Sequence, residues 1–385
     1  MSKTSIVTGL FFGDEGKGIT TAFLSAEKSL IVRYSGGHNA GHTVENNGYR
    51  HIFSSFSAGT LQGAHTYWSE YCTFCPKSFY NERQALIENG YNPVHFLHPL
   101  SMITTPFDYE YNHKTESNNK HGSVGVGFGA TIARNTQSPF KLFAIDLKYR
   151  PVLEQKLQQI AAYYDAADVN EKIEMFLWYI DHINLSLKTL AAIKHNYEHI
   201  VFEGAQGIML DMDFGFFPNV TRTNTTSKNA LEIIKKEKLP SPDIYYVMRS
   251  YLTRHGNGYM PNESNKLCFE DKTNTTHQYQ GAFRQGYHSS ELLQHALGID
   301  SIYAGNNPHK KNLVITCLDQ TNDLILIDNK RISLSEFLEF PLGISNFFIN
   351  RSPEANKVEP VKQQSNEQTI NTNKQTIEPC ITAST

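Results

Sequence analysis

The sequence predicts an α/β fold with a large central, mostly parallel β-sheet, flanking helices and a helical insertion. Three observations carry this. The chain opens as strand, Gly-rich loop, helix, strand, with a second Gly-rich loop after the second strand. Strand-like apolar runs return at His199–Glu203, Ile244–Tyr251 and Asn312–Leu318. Between the two groups, Val152–Tyr197 is apolar at helical spacing. That order is typical of open sheets that bind ligands at the carboxyl ends of their strands.

In order along the chain, Ser5–Leu10 reads as a buried strand and Ile19–Leu30 as the helix after the first Gly-rich loop. Leu30–Tyr34 reads as the second strand, and Ser35–Thr43 as the second Gly-rich loop. Residues 104–140 are polar and carry Gly122, Gly125, Gly127 and Gly129, which predicts a long functional or mobile loop. Leu153, Leu157, Ile160, Ala161 and Tyr164, then Ile173, Phe176, Leu177 and Ile180, predict an insertion of two or three helices at about 151–197. Ser289–Leu297 and Leu334–Phe340 read as short helices. From Val361 onward Gln, Asn, Thr, Ser and Lys dominate, so 361–385 is expected to be a disordered polar tail. Residues 1–360 then form a single catalytic domain.

The bulk numbers exclude several classes. With 385 residues the chain can bury a substantial core, and its net charge of −3 draws it to neither nucleic acid nor membrane. No apolar run is long enough to span a bilayer, and the N-terminus lacks a signal-peptide pattern. Five cysteines do not make a disulfide framework in a chain this long. A cytoplasmic protein is expected. Cys72 and Cys75 form a lone Cys-x-x-Cys among aromatic residues, which reads as a strand with two buried thiols.

The first Gly-rich loop reads Gly-Leu-Phe-Phe-Gly-Asp-Glu-Gly-Lys-Gly, from Gly9 to Gly18. Its glycines allow close approach to a ligand, and Lys17 suits an anion. Asp14 and Glu15 do not suit a simple phosphate cradle, so the loop combines phosphate binding with proton or metal chemistry. Neither the Walker A pattern nor the Rossmann fingerprint fits it. The second loop, Gly36-Gly37-His38-Asn39-Ala40-Gly41-His42-Thr43, sets two histidines four apart. Its glycines disfavour the helix a zinc pair would need, and a histidine there suits acid–base work.

These two loops resemble adenylosuccinate synthetase. Two further segments agree in order: Phe202-Glu203-Gly204-Ala205-Gln206-Gly207 leading on to Thr221 and Asn224-Thr225-Thr226, and Thr253-Arg254-His255-Gly256-Asn257-Gly258. The resemblance spans residues 9–258 and continues more weakly to about 358. It implies an adenylosuccinate synthetase-like fold and an Mg²⁺-dependent ligase. Such an enzyme phosphorylates the 6-oxygen of IMP with GTP and condenses the product with L-aspartate. Asp14 matches the general base and metal ligand, Lys17 and His42 match stabilisers of the transferring phosphoryl group, and the Gly41 carbonyl matches a second metal ligand. Gly13, Glu15, Gly16, Gly18, Asn39, Thr43, Ser123, Gln206, Thr221, His255 and Gly256 match contacts to IMP or the nucleotide phosphates. Thr275, Thr276 and Arg284 match aspartate contacts, and Asp319 and Ser352 guanine contacts. A homodimer is also implied.

The chain departs from the family pattern in its later loops. Cys317 replaces the Lys of Thr-Lys-Leu-Asp, Val124 replaces a phosphate-binding Thr, and Arg351-Ser352-Pro353 replaces Ser/Tyr-Gly-Pro. The stretch Gly281-Ala282-Phe283-Arg284-Gln285 keeps one Arg of the aspartate loop. The Arg that a dimer partner donates has no counterpart in Pro139–Leu142, leaving Arg134 as a substitute. ATP in place of GTP, and dGMP or dIMP in place of IMP, are therefore alternatives, as is an inactive nucleotide-binding regulator.

Overall fold

The computed structural model describes residues 2–119, 124–271, 273–274, 281–305 and 310–362. Nine strands form the central sheet, in the order Glu359–Pro360, Asn346–Ile349, Lys311–Thr316, Asp243–Arg249, Lys3–Gly9, His199–Glu203, Ser29–Arg33, His65–Trp68 and His95–Leu97. The pairings are parallel except at the edge, where Glu359–Pro360 runs antiparallel to its neighbour. The central strands read as unbroken apolar runs because both faces are covered. Ile6, Val32, Phe202, Ile244 and Leu313 fill one face. Val7, Ile31, Val201, Val247 and Val314 fill the other. Successive residues thus enter different cores, as a period of two requires.

From Lys3–Gly9 the chain first builds toward Ser29–Arg33 and later toward Asp243–Arg249, on the opposite side. Loops leaving the carboxyl ends of adjacent strands therefore diverge at the first strand and open a crevice.

Two expectations need correction. The first helix spans Lys17–Phe23 and stops well short of Leu30. Ser25 donates to the Thr21 carbonyl and Ser29 accepts from the Ala26 amide, so short polar side chains draw the backbone into a turn. Residues 104–140 are mostly not a loop. They carry the helices Pro106–Asn119 and Phe128–Gln137. The first is started by Pro106 and by Asp108, whose carboxylate accepts from the Thr105 amide and hydroxyl, each at 2.8 Å. The second follows Gly127, whose φ of 77° suits glycine at that junction. The buried ion pair of Arg134 with Asp108 and the Gly127 amide's bond to the Asn112 side chain join these two segments, which is why their polar sequence conceals them.

The other elements lie close to expectation. Arg150–Tyr163, Val169–His182 and the short Leu190–Ile193 occupy the helical region. The helix expected at Ser289–Leu297 runs from Ser290 to Ala304. Ser289 caps it, and the buried Asp300 near its end bonds Ser227 and Tyr246. Cys72 and Cys75 are buried thiols. The Val361 amide donates to the Phe347 carbonyl, so the polar tail begins beyond it, and 363–385 lie outside the described residues. No helix among the described residues is long and apolar enough to cross a membrane.

Candidate functional site

The loops at the carboxyl ends of the central strands enclose one cleft of about 1640 Å³. The first loop reaches it through a strained path: Gly13, Asp14 and Gly16 have φ of 88°, 58° and 100°. A side chain on Gly16 would lie 2.7 Å from the Thr316 methyl, and the Thr316 hydroxyl donates to the Glu15 carbonyl at 2.7 Å. The loop is thereby tied to the end of a strand two places away in the sheet. Glu15 turns inward. It accepts from the Phe11 amide and lies 3.4 Å from the Lys17 ammonium, both side chains being 3% exposed. Burial raises the Glu15 carboxyl above the usual carboxylate range, and the nearby Lys17 charge only partly opposes this. Asp14, half-buried, lines the cleft, and its carboxylate has no hydrogen-bond partner among the described residues.

The second loop brings Asn39, Gly41, His42 and Thr43 to the same cleft. The His42 Nδ1 lies 2.9 Å from a carboxylate oxygen of Glu203. Burial by itself would raise the Glu203 carboxyl, but the His42 ring and the Arg33 guanidinium outweigh it and hold Glu203 below the usual range. Asn39 has a buried side-chain oxygen without a partner. His38 has a different part. Burial lowers its pKa to about 4, and its Nε2 lies 2.7 Å from the Val126 carbonyl, so it ties loop to loop as a neutral ring.

Gln206, in the left-handed region at φ 63°, packs against Gly13 of the first loop and lines the cleft with Thr221. Asp211 organises that segment by accepting from the amides of Asp213, Thr225 and Thr226. Arg249 donates to the Asp14 carbonyl, the Tyr251 hydroxyl and Asp271. Arg254 donates to the carbonyls of Asn257, Tyr259 and Asn219, with its guanidinium 4.4 Å from the Phe12 ring. His255 lines the cleft and its Nε2 is buried without a partner. Asp319, Ser352 and Cys317 line the cleft as well.

The structure thus gathers Gly13, Asp14, Glu15, Gly16, Lys17, Gly18, Asn39, Gly41, His42, Thr43, Gln206, Thr221, His255, Asp319 and Ser352 around one cleft. Gly256 and Arg284 are not on its wall. Arg284 forks onto Glu263 and donates to the carbonyls of Gly256 and Gly258, at 3.0 and 2.9 Å, so its nitrogens face the protein's own loop. Arg134, considered as a phosphate ligand, is 1% exposed and clamped to Asp108 at 2.9 Å. Ser123, Thr275 and Thr276 lie outside the described residues. Glu203 and Arg249 received no role from the sequence. Glu203 carried one usable sign, an acidic residue directly after the apolar run Ile200-Val201-Phe202 at the end of its strand.

Sheet order and cleft together define an open α/β protein with its main cleft at the topological switch point, where such folds bind ligands. The family described as adenylosuccinate synthetase matches residues 6–301. The adenylosuccinate synthetase of Dichelobacter nodosus is 29% identical over 285 residues, covering 68% of this chain and 65% of that protein. That of Bacteroides fragilis is 30% identical over 281 residues, 68% of this chain and 66% of that protein. The matches thus span about two thirds of these curated relatives. In fold, the chain is similar to a fully ligated adenylosuccinate synthetase from Plasmodium falciparum, with a TM-score of 0.73 at 18% identity, covering 94% of this chain and all of that one (100%). It is also similar to the succinoaminodeoxyadenylate synthetase of cyanophage S-2L bound to dGMP and dATP, with a TM-score of 0.64 at 16% identity, covering 94% and 95%. The chain belongs to the adenylosuccinate synthetase family.

Proposed function

We propose that this protein is a ligase that uses GTP or ATP to phosphorylate the 6-oxygen of a purine nucleoside monophosphate, IMP in the first instance. It then joins that carbon to the amine of L-aspartate, giving adenylosuccinate. The observation that carries the reading is the convergence of Asp14, Lys17 and His42 on one cleft, in a chain of this family. Asp14 takes the purine N1 proton as O6 attacks the γ-phosphorus and the bond to the β-phosphate oxygen breaks. The aspartate amine then displaces phosphate from C6. Lys17, and His42 in its imidazolium form with N–H at both ring nitrogens, stabilise charge on the phosphoryl group in transfer. The left-handed glycines of the first loop bring backbone amides close to the phosphates.

Mg²⁺ is the cofactor in this reading. Mg²⁺ keeps several waters and binds through one or two carboxylates plus substrate phosphates. The Asp14 carboxylate and the Gly41 carbonyl fit that demand, since both lie on the cleft wall and Asp14 is otherwise unbonded. When bound, the ion neutralises phosphate charge. Asn39, Thr43, Gln206, Thr221 and His255 are assigned to the nucleotides, and Asp319 and Ser352 to the purine base of the triphosphate. Residues 1–360 act as one catalytic unit, in the cytoplasm and as a homodimer.

The test is direct. Purified protein is incubated with Mg²⁺, aspartate, GTP or ATP, and in turn IMP, dIMP, GMP or dGMP, and the succinylated nucleotide is sought by mass spectrometry. The adduct of IMP is expected. An adduct only with dGMP or dIMP would move the substrate within the same chemistry. No adduct in any combination, with Asp14→Asn indistinguishable from wild type, would overturn the ligase reading.

A further inference from the structure

Glu203 is the last residue of a central strand, and its side chain is 0% exposed. One carboxylate oxygen meets two donors, the His42 Nδ1 at 2.9 Å and the Ala58 amide at 3.2 Å. The other faces the Arg33 Nε at 4.0 Å. Arg33 is itself fixed by the carbonyls of Ser54 and Gly37 and lies 4.6 Å from the Trp68 ring. His42 is gripped from a further side, because a side chain on Gly18 would come within 2.9 Å of the His42 Cβ.

A core histidine satisfied by a core acid would look similar in part. Two features argue for more. Burying a carboxylate costs several kcal/mol unless it is closely paired, and a backbone carbonyl would have anchored the ring without that cost. The ring is also not interior on all sides, since His42 lines the cleft beside Asp14 and Lys17.

We propose that Glu203 is a positioning residue for His42. It holds the proton on Nδ1, fixes the ring plane and so presents Nε2 to the cleft, while the Ala58 amide holds the carboxylate in place. The same logic orients metal-bound and catalytic histidines elsewhere. That Nε2 then faces a phosphoryl group rests on the ligase reading, whereas the dyad itself does not.

Nitrogen-15 NMR of the histidines, with His42 assigned by its loss in His42→Ala, reads the ring directly. Nδ1 is expected to be protonated in wild type. In Glu203→Gln the amide can donate or accept, so the ring populates both tautomers. For turnover, Glu203→Gln is expected to lower kcat on the order of 10²-fold, with nucleotide KM values nearly unchanged. Added to His42→Ala, it should cause no further loss of kcat. Nε2 protonated and Nδ1 bare in wild type, undiminished kcat in Glu203→Gln, or a multiplicative loss in the double variant would each overturn the proposal. Should Glu203→Gln fail to fold, the wild-type spectrum still decides the tautomer. Should wild type form no succinylated nucleotide, the ligase reading falls while the same spectrum still judges the dyad.

Discussion

The two walls of the cleft are built differently. On the wall formed by the first two loops, charged groups are aimed inward and gripped from behind. Lys17 leans on Glu15, and His42 on Glu203. Along the wall lined by Arg249, Arg254, His255 and Asp271, the arginines serve the protein's own groups, as does Arg284 outside the cleft. Arg254 holds three carbonyls, and Arg284 holds Glu263 and two carbonyls. On the proposed function, the contrast separates chemistry from selection. Groups that act on a transferring phosphoryl must be fixed before substrate arrives. A wall whose cations are already engaged contributes shape and carbonyl edges instead.

The largest test of this contrast is Asp14→Asn. Asparagine tolerates the left-handed backbone, and the carbonyl that accepts from Arg249 is retained. Adduct formation should fall roughly 10²–10⁴-fold with an unchanged melting temperature. Next comes Asp108→Ala, which strands the buried Arg134 and should cost about 3–5 kcal/mol by urea unfolding. Were Arg134 instead a ligand for substrate phosphate, nucleotide KM would rise more than stability falls. Gly16→Ala places a Cβ into Thr316 at φ 100° and should cost about 1–3 kcal/mol, together with activity.

Arg284→Met addresses the loop that carries His255 and Asn257 on the second wall. A loss of about 1 kcal/mol in stability with an unchanged KM for aspartate is expected from a residue that staples a loop. A tenfold or greater rise in that KM would show that the guanidinium turns into the cleft with substrate present, and the contrast between the walls would break. The smallest effect compares the walls through pH. His38 on one and His288 beside the other are buried, with pKa values lowered to about 4. The unfolded chain, whose histidines titrate near pH 6.5, therefore binds about one more proton for each of them. Stability from these sites is complete above about pH 6.5 and is lost as pH falls toward 4. His38→Asn and His288→Asn should each flatten the urea midpoint against pH over that interval.

Much of this was legible in the residues. Ile6, Val7, Ile31, Val32, Val201 and Phe202 announce covered parallel strands, because a strand buried on both faces needs apolar side chains at every position. Asp14, Lys17 and His42, which the structure brings to one cleft, stood out in the sequence because carboxylate, ammonium and imidazole are not needed to turn a Gly-rich loop. The helices Pro106–Asn119 and Phe128–Gln137 were not, since their contact depends on Asp108 meeting Arg134 across 26 residues of chain.

The sequence by itself determined the five central strands of the sheet, the strand–loop–helix–strand order at the N-terminus, and the side-chain types of the first two loops. These are local properties: period, glycine content and side-chain type within a few residues. Only the tertiary structure decided that Glu203 stands behind His42, 161 residues away, and that Arg249 reaches back to Asp14 across 235. It likewise decided that Arg284 faces its own loop. Which partner a buried charge finds is set by strand order and register, and those exist only once distant segments have paired.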